Sequence, residues 1–107
     1  MKPQPCSTIL KALSDETRCR IVRELLGKPL TVSELTERTG ATQYNVSKHL
    51  RILREAGVVM TAKVGKTVEC SLEPAFRKQA GTSGDALDFG CCTFRFSENV
   101  PLRVKTK

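Results

Sequence analysis

Residues 31–57 read TVSELTERTGATQYNVSKHLRILREAG, and the spacing inside this stretch decides the fold. Thr31-Val32-Ser33-Glu34 is a capping-box pattern: the Thr31 hydroxyl can take an amide of the first helical turn, and Glu34 can answer the amide of Thr31. The helix it starts is short, running to about Thr39, where Gly40 supplies a C-terminal cap. Ala41 and Thr42 alone separate it from a second helix, Gln43 to about Glu55. Val46, Leu50 and Leu53 form the inward stripe of that helix, while Gln43, Tyr44, Ser47, Lys48, Arg51 and Arg54 fall on the other side. Two helices joined by so tight a turn, the second polar and basic on its outer face, match a helix-turn-helix in spacing and chemistry.

Outward from this motif the pattern continues. Ala56-Gly57 closes the second helix, Val58 to Lys63 reads as a strand, Val64-Gly65-Lys66-Thr67 reverses the chain, and Val68 to Leu72 returns. A hairpin directly after a recognition helix is a wing. Upstream, Pro5 to Leu13 is a short amphipathic stretch with Ile9, Leu10 and Leu13 at helical spacing. Ser14 then offers an N-cap, Asp15 and Glu16 suit the positive end of a new helix, and Ile21, Val22, Leu25 and Leu26 give its buried stripe up to Gly27. Downstream, Pro74 to Gln79 begins a helix that the glycines of 81–84 cut within about two turns. The pair Cys91-Cys92 and the alternating Thr93-Phe94-Arg95-Phe96 follow, and the basic end, 101–107, reads as mobile. The fold expected is mainly α with a β-hairpin wing, a winged helix-turn-helix over 1–80. A strand-like tail over 81–107 replaces a long last helix and carries the Cys pair.

Composition narrows the function. The chain has 107 residues, 39% hydrophobic and 27% charged, enough for one packed domain and too short for multidomain enzymes. One Tyr, four Phe and no Trp make base-stacking surfaces of the single-strand-binding kind a poor fit. Eighteen Lys and Arg against eleven Asp and Glu leave a formal charge of +7, the footprint of a phosphate-rich partner. No stretch approaches the roughly 18 apolar residues of a membrane span, and the first residues lack a signal-peptide core, so a cytoplasmic location without membrane attachment is expected.

Three stretches resemble the ArsR/SmtB family of small winged-helix repressors: Lys11-Ala12-Leu13-Ser14-Asp15-Glu16-Thr17-Arg18, Val46-Ser47-Lys48-His49-Leu50, and Leu53-Arg54-Glu55-Ala56-Gly57-Val58-Val59. With the wing, the likeness covers roughly residues 8 to 72. It implies a homodimer that binds a palindromic double-stranded operator and releases it when an ion or other signal is sensed. It also implies that His49 is a scaffold residue.

The helix Gln43–Glu55 is about 20 Å long at ~1.5 Å per residue, against a major groove ~12 Å wide, so its first two turns reach base edges. Gln43 can pair bidentately with adenine, Lys48 can donate to guanine or phosphate, and Tyr44 and Ser47 lie in the same turns. Thr42 and Asn45 are placed for phosphate at the helix N-terminus, and Arg51 farther along as a backbone clamp. Lys63 and Lys66 flank the wing and reach phosphate or the minor groove. The competing reading is that this polar face simply meets water.

Five Cys stand at positions 6, 19, 70, 91 and 92, an odd and irregular set that argues against a complete disulfide framework. Thiolates suit trivalent arsenic or antimony, which makes As(III) or Sb(III) the candidate inducer, held by Cys91 and Cys92, with Cys6 as the third ligand that the resemblance implies, since the family's first helix and C-terminal segment approach each other across its dimer interface. The family's Cys-x-Cys pattern at the start of the first helix of the motif is missing, since 32–35 contain no Cys. In a regular strand adjacent side chains diverge, so convergence of Cys91 and Cys92 needs an irregular turn at Gly90. Cys19 and Cys70 are expected to be packing residues. DNA binding itself needs no cofactor on this reading. Two alternatives stay open: a thiol-redox-responsive repressor, and a winged-helix protein-interaction module without a sensor. No set of nucleophile, base and orienting group is present, and the Cys spacing differs from that of dithiol oxidoreductases, so the chain is not expected to be an enzyme.

Overall fold

The structure, a computed structural model, describes residues 6–79, 81–83, 86–88, 92–95 and 103–106. Five helices and a three-stranded sheet form the winged helix-turn-helix: α1 (Cys6–Ala12), α2 (Glu16–Gly27), β1 (Leu30–Thr31), α3 (Val32–Thr39), α4 (Gln43–Glu55), β2 (Val59–Val64), β3 (Thr67–Leu72) and α5 (Pro74–Gln79). The boundaries of α3 and α4 follow the expected ones, and the hairpin β2–β3 is the expected wing.

Local chemistry sets each boundary. α2 is capped by Asp15, whose carboxylate accepts the Arg18 amide at 3.1 Å. Ser14, expected in that role, instead donates its hydroxyl back to the Lys11 carbonyl at 2.7 Å, so the cap lies one residue later. At α3 both halves of the capping box form, with Glu34 N donating to Thr31 Oγ1 at 3.1 Å and Thr31 N to Glu34 Oε1 at 3.0 Å. The Thr31 amide, with the Thr31 hydroxyl adding to the effect, holds the Glu34 carboxyl below its ordinary pKa. Gly40 adopts φ 73°, and its amide reaches the Thr36 carbonyl, which ends α3 and turns the chain into α4. At the other end of α4, Gly57 at φ 76° lets its amide bond Arg54 O and lets Val58 N bond Leu53 O. This is a Schellman closure, with Leu53 and Val58 buried together beneath it.

One aliphatic core links these elements. Ile9, Leu13, Ile21, Val22, Leu25, Leu35, Val46, Leu50, Leu53, Val58, Val59, Leu72 and Phe76 are all buried in a single cluster. Cys19 and Cys70 belong to it, 3% and 0% exposed, which bears out their reading as packing residues. Burial raises both thiols to about 11. α5 adds a further tie: Arg77 donates to the Leu25 and Leu26 carbonyls at 3.2 and 3.4 Å, satisfying the C-terminal end of α2.

The short strand β1 was not visible in the sequence, where Pro29 and the capping Thr31 leave no room for a periodic signal. It pairs with β3, Leu30 with Cys70 and Thr31 with Glu69, in a sheet ordered β1-β3-β2. The residue that caps α3 is thereby hydrogen-bonded into the wing, which fixes helix-turn-helix and hairpin as one body. The tail forms its own antiparallel sheet, β4 (Gly81–Ser83), β5 (Ala86–Asp88), β6 (Cys92–Arg95) and β7 (Arg103–Thr106), in sequential order. Leu87 on β5 is buried in the main cluster. The basic end, expected to be mobile, thus contains a strand whose Val104 pairs with Phe94.

Candidate nucleic-acid interface

α4 presents its two faces as the sequence indicated. Val46, Leu50 and Leu53 are buried, whereas Thr42, Gln43, Tyr44, Asn45, Ser47, Lys48 and Arg51 are exposed, Tyr44 to 77%. Thr42 is the N-cap, and its hydroxyl accepts the Asn45 amide at 3.1 Å. That bond takes one of the amides expected to meet phosphate. The Gln43 and Tyr44 amides, in the first turn and without an acceptor four residues back inside the helix, remain to face an anion.

The wing meets this face from the side. A cleft of about 230 Å³ is lined by Gln43 and Ser47 of α4, Lys66, Thr67 and Val68 of the wing, and Thr31, Val32 and Ser33 at the start of α3. Lys66 therefore shares a cavity with two of the groove-reading candidates. Lys63 is exposed farther along β2, opposite Val68, and does not line that cleft. Ser33 and Thr67 are additions that the sequence did not single out. Only the fold brings them beside α4. The strand pairing of Thr31 is what places the first turn of α3 against the hairpin.

Arg51 is engaged at its Nε by Glu55 at 3.1 Å, with both side chains largely in water. Such an exposed pair contributes little and is readily exchanged for a phosphate. Arg54 makes a long contact, 3.5 Å, to the Thr61 hydroxyl, which connects the end of α4 to the root of the wing.

Behind the exposed face sits a polar joint that also escaped the sequence reading. Arg18 donates through Nε to the Ala12 carbonyl and through Nη1 to His49 Nδ1 at 3.2 Å, while its backbone amide caps against Asp15. Because a guanidinium can only donate, His49 accepts at Nδ1 and carries its proton on Nε2, 3.8 Å from Asp15 Oδ2. The His49 side chain is 15% exposed, and burial lowers its pKa, with Arg18 and Lys48 adding to the effect and Asp15 opposing it. His49 is thus a joint between α1, α2 and α4, in agreement with its reading as scaffold.

The proposed thiolate set lies beyond this description. Cys91 is outside the described residues, and for Cys6 and Cys92 the backbone alone is placed, in α1 and β6. Among the described residues no group of three or more His, Cys, Asp or Glu is arranged to hold a metal. No helix among them is long and apolar enough to cross a membrane.

Comparison with known proteins places this geometry. The model of the family described as bacterial regulatory protein, arsR family, matches residues 15–61, from the cap of α2 through the recognition helix into the wing. The solved structure of HlyU from Vibrio cholerae superposes with a TM-score of 0.63 at 36% identity, covering 67% of this chain and 79% of that one. The chain belongs to the ArsR family. Among its relatives, the HTH-type transcriptional regulator YceK of Bacillus subtilis is 42% identical over 66 residues, 60% of this chain and 66% of its own length. The arsenical resistance operon repressor of Escherichia coli is 41% identical over 68 residues, 62% of this chain and 57% of its own. The match therefore spans less than two thirds of either relative. These relatives are transcriptional regulators, not enzymes, and the fold shared with the solved structures is the winged helix.

Proposed function

We propose that the protein is an operator-binding transcriptional repressor that acts as a homodimer on double-stranded DNA. The observation that carries this reading is the cleft that joins Gln43 and Ser47 of the recognition helix to Lys66 of the wing, on a face where every α4 candidate is exposed. Gln43, Tyr44, Ser47 and Lys48 enter the major groove. Thr42, Asn45, Arg51, Lys63 and Lys66 engage the backbone, Thr42 by orienting the first turn and not by contact of its capped partner amide. Residues 1–80 act as the reading unit. A homodimer follows from the need for two such helices about one helical turn apart on a palindrome.

The inducer on this proposal is trivalent arsenic or antimony, bound by thiolates of Cys91, Cys92 and Cys6 in the segment 81–107 and α1. Its support is the soft-ligand chemistry of adjacent thiols and the likeness to a repressor named for arsenical resistance. A redox reading has its own support, since a structure of reduced HlyU is among the similar ones. A single gel-shift series separates them. Binding to DNA selected from a random pool is measured with and without arsenite, antimonite and peroxide, for wild type and for Cys91→Ser with Cys92→Ser. Loss of arsenite-triggered release in the double variant supports the metalloid sensor. Full release in that variant overturns it, and peroxide-only release assigns the thiols to redox sensing.

A further inference from the structure

Only part of the chain's positive charge lies on the recognition helix and wing. On the far side of the turn, α2 and the end of α3 enclose a second cleft of about 240 Å³, walled by Arg20, Arg23, Glu24, Arg38 and Thr39. Arg20 and Arg23 stand one turn apart on α2, so both project to the same side, and Arg38 enters from the last turn of α3. Three guanidiniums meet one carboxylate in this lining.

The acidic neighbours do not saturate Arg20 and Arg38. Arg20 is held by Glu16 at 2.8 Å and Arg38 by Glu24 at 3.3 Å, with side-chain exposures between 35% and 54%. Each guanidinium carries five donors in a planar fork, and one carboxylate occupies at most two of them. Pairs this exposed are weak and exchange easily for a better-matched oxyanion.

We infer that this cleft is a seat for the DNA backbone, taking phosphates beside the groove that α4 enters; the inference rests on the operator-binding reading above. Thr39, on the cleft wall, precedes the α4 N-cap Thr42 by three residues, which bounds their separation at roughly 10 Å. A duplex carries one charge per ~1.7 Å of its axis, and its major groove is ~12 Å wide, so phosphates of a groove edge fall within reach of that wall. The planar fork of each Arg matches a pair of phosphate oxygens. Such contacts set register and affinity and carry no base information.

The test is the salt dependence of binding to two 30-base-pair duplexes, one selected from a random pool and one scrambled. The variant is Arg20→Gln, Arg23→Gln, Arg38→Gln, with thermal melting to check the fold. Its slope of log affinity against log salt is expected to shrink by about 2, at ~0.9 per phosphate lost, for both duplexes alike. Between 50 and 200 mM salt the gap between wild type and variant then narrows on the order of tenfold. Should the triple variant melt early, Glu24→Gln tests the same point with opposite sign, because it frees Arg38 and should tighten binding to both duplexes. An unchanged slope in the triple variant, or no tightening with Glu24→Gln, overturns the inference. If Lys48→Ala still weakens binding in that case, the recognition-helix reading survives alone, whereas no binding by wild type sinks both. Inorganic phosphate supplies the last arm: stabilisation of wild type and not of the triple variant, with no change in DNA slope, would give the cleft to a small phosphate and overturn the backbone assignment.

Discussion

Replacing Arg18 with Ala isolates the joint that positions the recognition helix. The guanidinium serves the carbonyl of Ala12, a residue 4% exposed, and Nδ1 of His49, whose side chain is 15% exposed. The backbone cap on Asp15 is untouched by the substitution. Each lost bond to a charged donor contributes ~1.5–3 kcal/mol, discounted here because the joint is only partly buried, so a loss of about 2–4 kcal/mol is expected. For a chain near 100 residues this lowers Tm by roughly 10–25 °C. Arg18→Lys should recover less than half, since a single ammonium does not span both acceptors with the same geometry.

The same variant carries a pH signature that a merely destabilised core would not show. In the wild type the His49 pKa lies below its usual 6.5, so the unfolded chain binds the proton more tightly. Stability is therefore full above pH 6.5 and falls as pH drops through the interval between 6.5 and the folded value. Removing Arg18 takes away a neighbouring positive charge and leaves Asp15, which favours the imidazolium, so the His49 pKa should rise and that acid loss should shrink. Urea melts from pH 5 to 8, with NMR titration of the single imidazole, read both effects. A change below about 0.5 kcal/mol in stability, within the range of an ordinary surface substitution, together with an unmoved His49 titration, would refute the role given to Arg18.

Other expectations follow from single features. Gly40→Ala meets open space around its new Cβ, so its cost is the left-handed φ alone, roughly 1–2 kcal/mol, read as a lower urea midpoint at unchanged m-value. Thr31→Ala removes half of the capping box and should cost ~1 kcal/mol in the same assay, with Thr31→Ser restoring most of it. Cys19 and Cys70, buried and raised to about 11, should resist iodoacetamide at pH 7.5 until urea unfolds the chain, a point settled by mass spectrometry of the labelled peptides; native-state labelling at either site would contradict their burial. Lys66→Ala should lower the salt slope of DNA binding by about 0.9, and an unchanged slope would remove the wing from the interface.

The helix-turn-helix was legible because local chemistry and hydrophobic period agree there. Thr31 with Glu34, Gly40, the Val46-Leu50-Leu53 stripe and Gly57 each fix a boundary within a few residues, and each acts through bonds made inside its own turn. What stayed hidden depends on partners distant in sequence. Arg18 meets His49 across 31 residues, Arg77 reaches α2 across more than 50, and β1 is two residues long and exists only because β3 lies beside it. The one-residue error at the start of α2 has a local cause: Ser14 and Asp15 are both good caps, and Ser14 is drawn off by the carbonyl of Lys11. The tail's alternation at 93–96 indicated a strand, but its four-strand meander depends on pairings such as Leu87 with Phe94 that no short window reveals. Of the interface, the exposed residues of α4 were readable from period alone, while Ser33 and Thr67 join it only through the strand pairing that draws α3 against the wing.

On the proposed function, the outer face of α4 reads base edges in the major groove. Fluorescence-anisotropy titration at fixed salt, comparing a duplex selected from a random pool with its scrambled counterpart for wild type and Gln43→Ala, tests it most directly. The expected result is at least ~10³-fold preference for the selected duplex, of the order seen for specific DNA readers, and a loss of about tenfold or more of that preference in Gln43→Ala with binding to scrambled DNA unchanged. Equal affinity of wild type for both duplexes, or a Gln43→Ala variant that keeps the full preference in company with Ser47→Ala and Lys48→Ala, would contradict it.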